Sequence, residues 1–558
     1  MYYSKFDSSV FFSIAFLCIL VACKTDVDKP KGIAQKKSKQ TLFSNSTIDL
    51  ENISALIREE LDTNNKNKLV IWDNDSVSWI HDIAQLYSTN SLQPFWISEK
   101  GFSAEAASFI EAIPELEFDG LNLHDYHLQE QQACMKKTNS LSDSALVNIE
   151  FKLSNTFFQI THDMILGNRI GKINSKDWKN KNDSLFNYGI LLKQSIANGN
   201  FFDVFQRMRP QQYWYAKFRQ EYKRLDSLNK SGAWTTFTLS KDSIKNETEI
   251  SIPNIISLRK RLNKEIGIPK DTNTAIWNED IINSLKKFQH LHQLKVTGIL
   301  DSTTINKLNI SLKDKQIILA NNMEKLRWLK HDFPQPYIWV NIPKMELDYV
   351  DHDSVQFNMR VVVGRISRPT PTLDARLENI VFSPPWGVPP TIMKEEVIPG
   401  IARKGLSYLS RRGLKAYDRH GHQVNASAIN ASNFNQYSIQ QAPGYSSSLG
   451  EVKFNLPNPW SIYLHDTPHR GDFVKSFRAY SSGCIRVHHP KEFAAFLLQD
   501  TARYSLSKID SICKTRKTKY VTMHRDVQVH IVYLTNAIDS IGNIMYLKDL
   551  YRLDKKMQ

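Results

Sequence analysis

The sequence predicts a multidomain α+β protein with a helical N-terminal half, a small helical unit and a predominantly β C-terminal domain that carries a long insertion. Apolar residues recur at helical spacing before residue 240 and again from 251 to 312, whereas short β-branched and aromatic runs follow residue 336. The 558 residues are 41% hydrophobic and 23% charged, which suits roughly two to four domains with sizeable cores.

The composition narrows the class of protein without selecting a partner. Lys and Arg number 72 against 57 Asp and Glu, so the formal net charge is +15. A basic surface suits nucleic acid, an anionic membrane face or an acidic polymer. No basic stripe interleaved with aromatic residues is evident, which argues against nucleic acid. Aromatic residues make up 11%, which argues against global disorder, and five cysteines are too few for a disulfide scaffold of this length.

The first residues have the pattern of an export signal. Lys5 precedes an apolar run from Val10 to Ala22, which has the length of a secretory signal core and is too short to span a bilayer comfortably. The run ends Leu20-Val21-Ala22-Cys23, which resembles the bacterial lipobox. The resemblance implies that residues 1–22 are a lipoprotein signal peptide and that Cys23 is acylated after cleavage. An ordinary secretory signal or an N-terminal anchor helix is the alternative.

The same region predicts where the mature protein resides. Residues 23–50 are rich in Lys, Ser, Thr and Asn without periodicity, which indicates a tether from a membrane. We therefore expect an exported, periplasm-facing membrane lipoprotein of a Gram-negative-type bacterium. Both the inner and the outer membrane are compatible with the sequence.

The cysteine count directs attention to a free thiol. If Cys23 carries lipid, Cys134, Cys484 and Cys513 remain in the exported chain. An odd number of thiols leaves at least one unpaired, and a free exported thiol is a liability unless it has a function. Cys134 and Cys513 lie in polar or helical settings and are interpreted as packing residues, while a disulfide between them stays open.

Two helical regions are predicted upstream of the β domain. Residues 51–240 show helical periodicity with interruptions at Pro94, Gly120 and Gly167. Residues 251–312 form a compact unit with two apolar stripes, and Asp301 or Ser302 is expected to cap its last helix. The stripes consist of Ile255, Leu258, Leu262, Ile281, Leu285, Phe288 and Leu291.

The β domain is predicted over 336–530, with further strands in 531–558. Helices are sparse there, mainly 491–499 and onward to 512. A long segment at about 390–450 is dotted with Gly, Ser and Asn and is interpreted as a lid insertion, because long loops on a β scaffold are often functional. The predicted strands are 337–342, 355–363, 380–383, 452–456, 461–465, 529–535 and 544–547.

The residues that carry chemistry lie near the end of this domain. An apolar strand leads to His465, and a Ser-Gly step leads to Cys484, 19 positions later. Thiol catalysis needs a thiolate, a base that generates it and donors for the oxyanion. Gly483 allows a tight turn, so that amide N–H groups near Cys484 can face a developing oxyanion. His465 and Cys484 are therefore the predicted base and nucleophile.

Other residues compete for these roles. His469 follows a proline in a polar loop, and His488 and His489 lie beyond the next strand, so each is a weaker candidate for the base. Asp466 could orient the imidazole, although strand alternation points its side chain to the opposite face and a backbone carbonyl would serve equally. The histidines show no zinc spacing, so we expect no metal site.

The segment His465 to Arg486, with Ser481-Ser482-Gly483-Cys484-Ile485-Arg486, resembles the signature of the L,D-transpeptidases, whose catalytic domain is the YkuD type. The ordered segments that extend the resemblance run over nearly the whole mature chain, in the large exported form of that family. They include Tyr87, Pro94-Phe95-Trp96, Asp119-Gly120-Leu121, Asp125-Tyr126-His127, Glu324 to Leu329, Val340 to Pro343, Val361 to Gly364, Thr370-Pro371, Pro385 to Pro389, Pro443-Gly444, Leu449 to Phe454 and Leu464 to Pro468.

The resemblance implies acyl transfer on peptidoglycan stem peptides without a cofactor. Cys484 would form a thioester with release of terminal D-alanine, and the amine of an acceptor stem would complete a 3→3 crosslink between diamino acids. His465 would act as base and then as acid. Gly483, Ser482 and Arg486 would organise the site and its oxyanion donors. Ser482 stands where some relatives carry a second histidine.

The neighbouring regions also have counterparts in that family. Residues 51–240 would be a scaffold domain, and 251–312 resembles the type 1 peptidoglycan-binding domain through Leu285 to Gln289, Thr297-Gly298 and Asp301. The alternative for 251–312 is a packing module without glycan affinity. The expected partners are peptidoglycan donor tetrapeptides, acceptor stems and, through the lipidated N-terminus, a membrane.

Two other functions remain open at this point. An L,D-carboxypeptidase would use the same acyl-enzyme with water in place of the amine, and a lid that excludes water would favour the amine. A non-enzymatic peptidoglycan-anchoring lipoprotein would need neither His465 nor Cys484.

Overall fold

Helices dominate the described residues between 47 and 327, in agreement with the helical regions that the sequence predicts. The computed structural model describes residues 47–557 apart from 63–69, 73–74, 77–78, 138–139, 169–186, 233, 235, 238–242, 245–251, 331–332, 406, 426, 428 and 431. The predicted signal peptide, Cys23 and the tether up to residue 46 lie outside these described residues. No helix within the described ranges is long and apolar enough to cross a bilayer.

The N-terminal region is built from helices that begin at polar caps and bury aromatic residues. Asp49, Ser103 and Ser142 each accept a backbone N–H of the first helical turn. Phe157 and Phe158 of the longest helix are fully buried in the core of this region. The helices are Leu50–Leu61, Ile80–Ser88, Ala104–Ala112, Leu128–Met135, Asp143–Ile165, Tyr188–Asn198, Phe201–Met208 and Tyr213–Lys230.

The small helical unit has the predicted stripes and cap. Its helices are Ile252–Ile266, Glu279–Leu291 and Ser302–Leu308. The apolar stripes meet in one buried cluster that contains Leu258, Leu285 and Phe288. Asp301 caps the last helix by accepting the Thr304 N–H at 2.8 Å, which confirms the predicted start of that helix.

One helix, Leu312–Arg327, contacts the N-terminal helices and the C-terminal end of the chain, and we call it the coupling helix. A Cβ on Gly120 would lie 2.6 Å from the Ala320 Cβ, so only glycine permits the close approach at that point. Arg327 donates to the Asp119 carbonyl at 3.0 Å, and Lys325 pairs with Asp554. The helix therefore ties together segments that lie far apart in the sequence.

The C-terminal domain is an eleven-stranded mixed sheet with helices packed against it, which confirms the α+β class. Its helices are Pro490–Leu498, Thr501–Tyr504, Leu506–Lys514 and Leu553–Met557. A separate pair, Asn536–Ile538 and Ile544–Tyr546, follows the sheet. The strands, in spatial order, are Leu373–Arg376, Gln528–Val532, Tyr337–Asn341, Glu346–Asp351, Ser354–Gly364, Ile485–Val487, Leu464–His465, Val452–Asn455, Asn379–Phe382 and Lys519–Thr522, and Ala479–Ser481 pairs with Ser354–Gly364 off this path.

The insertion at 390–450, which we call the lid, has a core of its own. Short helical segments, Pro390–Ile392, Met393–Val397, Ile398–Lys404 and Ser407–Arg411, lead into a small antiparallel sheet. The sheet strands are Trp386–Gly387, Ser438–Gln441, Leu414–Tyr417 and Gln423–Val424. Its buried apolar cluster consists of Met393, Val397, Leu409, Leu414, Ala416, Ile429 and Ile439.

Two predicted boundaries differ from the structure, and the structure answers the question of a cysteine pairing that the sequence left open. The strand predicted at 461–465 covers only Leu464–His465, because Asn458 Oδ1 accepts the N–H groups of residues 460 and 462 and Ser461 adopts a φ of 54°. The strand Gln528–Val532 crosses the boundary placed between 530 and 531. Cys134 and Cys513 are both free thiols, so the disulfide that the sequence left open is not formed.

Candidate active site

Two adjacent strands bring the predicted base next to Arg486 on one face of the sheet. The strand Leu464–His465 runs parallel to the strand Ile485–Val487, with Leu464 paired to Ile485 and His465 paired to Arg486. Successive side chains of a strand point to opposite faces. Leu464 and Ile485 are fully buried in the core, so His465 and Arg486 share the opposite face.

Cys484 ends a short turn, residues 481–484, which we call the thiol loop. The Ser481 hydroxyl donates to the Cys484 carbonyl at 2.5 Å and accepts the Gly483 N–H at 3.1 Å. Gly483 has a φ of 116°, a conformation that residues with a side chain rarely adopt. The half-buried Cys484 side chain places Sγ 3.7 Å from the Ser461 carbonyl oxygen. The loop thus presents the thiol two residues before Arg486, on the same side of the sheet.

The His465 ring has the tautomer that a general base requires. The side chain is 6% exposed, and Nδ1 lies 2.5 Å from the Asp466 backbone carbonyl oxygen. A carbonyl oxygen only accepts, so Nδ1 carries the proton and Nε2 keeps its lone pair. Burial, followed by the positive charges of Arg486 and Lys453, lowers the pKa of His465 to about 3. The imidazole is therefore neutral at neutral pH.

The Cys484 thiol is also neutral at rest. Burial raises its pKa above the ordinary cysteine value, and this outweighs hydrogen bonding by Tyr463 and the charges of Lys453 and Arg486, which lower it. Among the described residues, no hydrogen bond joins Sγ of Cys484 to the His465 ring. The site therefore holds a neutral thiol and a neutral imidazole, and not a preformed thiolate–imidazolium pair.

Two residues of this face escaped the sequence analysis as site residues. Tyr463 lies two positions before His465, and the two ring centroids are 5.5 Å apart. Lys453 lies on the neighbouring strand, directly opposite His465 in the backbone register. Its Nζ lies 4.1 Å from the Tyr463 ring centroid. Burial lowers the pKa of Lys453 and raises that of Tyr463. Strand alternation could have indicated Tyr463, whereas Lys453 depends on strand pairing that local sequence does not show.

The other predicted organising residues have defined partners. Ser482 is exposed, and its hydroxyl accepts a hydrogen bond from Arg368 at 3.0 Å. Arg486 pairs with Asp472 at 3.4 Å. The Gly483 N–H is already donated to Ser481, so this particular amide is not directed at a developing oxyanion. Ser482 and Gly483 thus shape the turn that holds Cys484.

The Asp466 carboxylate does not orient the imidazole, and the residue acts through its backbone instead. Its carbonyl oxygen accepts the His465 ring hydrogen bond described above. Its carboxylate accepts the Glu451 N–H at 2.8 Å and the Thr467 N–H at 2.6 Å, and it pairs with Arg470 at 2.6 Å. Of the two alternatives that the sequence left open, the structure thus has the backbone carbonyl at the ring, because alternation along the strand directs the carboxylate away from it.

The competing histidines His469, His488 and His489 are less buried than His465. The His469 side chain is exposed in its loop. His488 stacks on Phe473 with centroids 4.7 Å apart, and His489 is exposed beside it. Within the part of the chain that the structure describes, no group of three or more His, Cys, Asp or Glu side chains could hold a metal ion.

Comparison with known proteins finds three matching families along the chain. Residues 335–510 match the family described as "L,D-transpeptidase catalytic domain", residues 81–221 match "Scaffold domain", and residues 251–308 match "Putative peptidoglycan binding domain". A protein of Haemophilus influenzae named "Putative L,D-transpeptidase" is 33% identical over 282 residues, which cover 50% of this chain and 55% of the relative. The chain thus spans about half the length of this curated relative.

Proposed function

Because the chain carries an L,D-transpeptidase catalytic domain beside a scaffold domain and a peptidoglycan-binding domain, we propose that it is a cysteine-dependent acyltransferase of peptidoglycan stem peptides. Cys484 is the nucleophile, and His465 is the general base. The observation that carries the proposal is the parallel pairing of the His465 strand with the strand that begins directly after Cys484, which supports a thiol close to an imidazole whose Nδ1 is held by the Asp466 carbonyl.

The first half-reaction forms a thioester and releases D-alanine. The Cys484 thiol attacks the carbonyl carbon of the L-centre of a diamino acid, next to the terminal D-alanine, while its proton passes to Nε2 of His465. The carbonyl electron pair moves onto oxygen. When the carbonyl re-forms, the C–N bond breaks, and the imidazolium returns the proton to the leaving amine.

The second half-reaction forms the crosslink. The side-chain amine of an acceptor stem attacks the thioester, and His465 accepts a proton from that amine. The C–S bond then breaks, the sulfur recovers the proton, and the two diamino acids are joined by a 3→3 amide. Water in place of the amine would give hydrolysis, which is the L,D-carboxypeptidase alternative. A lid that covered the acyl-enzyme would slow the access of water and favour the amine.

The positive charges of the site favour this chemistry. Lys453 and Arg486 both lower the pKa of the Cys484 thiol, so they stabilise the thiolate as it forms. The same charges lower the pKa of His465, so the transient imidazolium is a strong acid for the leaving amine. Arg486 is thus a site-organising residue that acts on both partners.

The remaining parts of the chain serve attachment to the wall and to a membrane. The unit at 251–308 is proposed to bind peptidoglycan, in keeping with the family that it matches. Lipidation at Cys23 would hold the protein on the periplasmic side of a membrane, as the lipobox resemblance implies. Both attachments would keep the catalytic domain close to an insoluble polymer, which raises its effective concentration there.

Substitution of the nucleophile tests the proposed reaction. Purified protein is incubated with disaccharide tetrapeptides, and the products are separated and identified by mass spectrometry. We expect dimers joined by a 3→3 bond, together with free D-alanine. Cys484→Ala should reduce both by at least about 10³-fold, because the residual rate without a nucleophile is small. Cys134→Ala removes a half-buried thiol of the N-terminal region and should retain full activity.

The products also separate the alternative functions. Tripeptide without dimer would refute crosslinking and favour the carboxypeptidase. A carbapenem adduct on Cys484, located by peptide mass spectrometry, would support the acyl-enzyme. Absence of that adduct, with wall attachment retained in Cys484→Ala, would favour a non-enzymatic anchoring protein.

A further inference from the structure

The thiol loop is held by a second loop, residues 364–370, which we call the clamp loop. The Arg365 N–H donates to the Ser481 carbonyl at 3.0 Å. The Arg368 guanidinium donates to the Ser482 hydroxyl at 3.0 Å, and the Thr370 hydroxyl donates to the Gly483 carbonyl at 2.7 Å. Three consecutive residues before Cys484 are therefore each bound by the clamp loop, so its position determines the position of the thiol.

The same guanidinium that binds Ser482 also binds the lid. Arg368 Nε donates to Glu395 at 2.9 Å, and its Nη2 donates to the same carboxylate. Its Nη1, which also contacts Ser482, lies 3.1 Å from Glu396 Oε1. The Arg368 side chain is only 10% exposed, so its charge is largely shielded from water and is compensated by these two carboxylates.

The two carboxylates belong to the lid segment Met393–Val397. Met393 and Val397 are buried in the cluster that forms the core of the lid. Glu395 and Glu396 are 52% and 33% exposed, so water and salt can reach these ion pairs. A planar guanidinium with five donors can bind one carboxylate through two N–H groups and still reach a second carboxylate and a hydroxyl, whereas a lysine offers only three donors on one nitrogen.

We propose that Arg368 is a positioning residue through which closure of the lid is transmitted to the thiol loop. With the lid closed, Glu395 and Glu396 hold the guanidinium against Ser482, and the turn before Cys484 is fixed. When the lid opens, Arg368 loses its counter-charges and the thiol loop loosens. The consequence for catalysis rests on the proposed function: the closed state commits the thioester to the amine, and the open state admits water.

Hydrogen–deuterium exchange of the full chain tests the coupling without reference to activity. In Arg368→Gln, amide exchange should accelerate about fivefold both in residues 393–404 of the lid and in the thiol loop, the size of a lost shielded ion-pair network. The double variant E395Q/E396Q should accelerate both segments as well. In Arg365→Gln, which removes a single pair with Glu396 and leaves the Ser482 contact, the thiol loop should stay within about twofold of the wild type.

A double-mutant cycle isolates the contact between Arg368 and Ser482. Ser482→Ala alone should leave the lid protected, since the carboxylate pairs remain. In the S482A background, E395Q/E396Q should still loosen the lid but no longer change exchange in the thiol loop. If E395Q/E396Q changes the thiol loop equally with and without Ser482, or not at all, the proposed transmission is wrong.

The product ratio provides the functional readout. Arg368→Gln should raise the ratio of hydrolysed tripeptide to crosslinked dimer several-fold, whereas a variant that merely misfolds would lower both products together. Arg368→Lys should not restore the ratio, because an ammonium cannot bind two carboxylates and a hydroxyl in one plane. An unchanged ratio would overturn the catalytic consequence. Hydrogen exchange is measured without substrate turnover, so it tests the coupling separately. If the wild-type protein forms no product at all, the proposed function is wrong.

Discussion

Lys453 and Arg486 lower the pKa of both the thiol and the imidazole, although these two groups take opposite charges when the proton passes between them. Both lower the pKa of the Cys484 thiol, which favours the thiolate, and both lower the pKa of His465, which disfavours the imidazolium. Burial adds to the effect on the imidazole and opposes the effect on the thiol. Individual residues thus keep the proton on the Cys484 sulfur, and we expect it to pass to His465 only when a substrate carbonyl is present.

The pH dependence of alkylation follows from this arrangement. Only the thiolate reacts with iodoacetamide, and burial raises the pKa of Cys484 above the ordinary value of about 8.5. The alkylation rate at Cys484, followed by peptide mass spectrometry, should therefore still be rising above pH 8.5. A plateau already reached at pH 7 would indicate a preformed thiolate and would contradict the assignment of a neutral pair.

Removal of one positive charge should shift the pH dependence of Cys484 alkylation to higher pH. Lys453→Met eliminates a charge that stabilises the Cys484 thiolate, so the pKa of the thiol rises and alkylation at a fixed pH slows. Lys415→Met, which changes an exposed residue on a lid strand, serves as the control and should leave the rate unchanged. A faster reaction in Lys453→Met would show that another group governs the thiol.

At the scale of elements, the turn before Cys484 depends on the conformation of one glycine. A Cβ on Gly483 would lie 3.6 Å from the Ile462 Cδ1 and 3.8 Å from the Pro369 carbonyl oxygen, which are ordinary contacts. The φ of 116° is the obstacle, because a side chain there crowds its own backbone. The constraint is therefore conformational and lies within the loop itself.

Gly483→Ala should consequently reduce turnover strongly, while it lowers the free energy of unfolding only moderately. We expect a loss of about 1–2 kcal/mol in the free energy of unfolding, with the thiol displaced from its place on the sheet face. Turnover and thermal unfolding are compared with those of Gly471→Ala, whose Cβ would have no neighbour within 4 Å. If Gly483→Ala retains full activity, the turn does not constrain the thiol.

At the scale of the whole molecule, the coupling helix joins the N-terminal helices to the C-terminal domain through buried charges. Arg327 donates to Tyr215 at 2.9 Å, to Glu324 at 2.7 Å and to the Asp119 carbonyl. Asp119 is itself buried and binds Arg209 at 2.9 Å. Such a network is costly to interrupt, because removal of one partner leaves a buried charge uncompensated.

Arg327→Met should therefore lower the stability of the whole chain. We expect a loss of about 3–5 kcal/mol, seen as a lower denaturant midpoint, since the buried Glu324 carboxylate would lose the positive charge that it pairs with. Arg376→Met is the matched control, because Arg376 pairs with Asp526 at the surface and both side chains are more than half exposed. Equal effects of the two substitutions would show that the buried network does not stabilise the protein.

Much of the fold could be predicted from local patterns, and the errors have specific causes. The stripes of 251–312 and the Asp301 cap follow from helical periodicity and side-chain chemistry within a few residues. The strand at 461–465 was predicted too long, because hydrogen bonds of the Asn458 side chain produce a turn where β-branched and aromatic composition suggested a strand. The strands of the lid were missed, since polar and glycine-rich composition indicated mainly a loop.

The residues available for the chemistry are evident from the order of amino acids alone: a thiol after a Ser-Gly step, a histidine after an apolar strand, and an arginine two positions beyond the thiol. Three features depend on the three-dimensional packing: the strand register that sets His465 opposite Arg486 and Lys453, the contact of the Asp466 carbonyl with the imidazole, and the bridge by Arg368 between the thiol loop and the lid. The physical reason is that periodicity and turns depend on neighbours along the chain. Strand register and ion-pair networks depend instead on how distant segments pack.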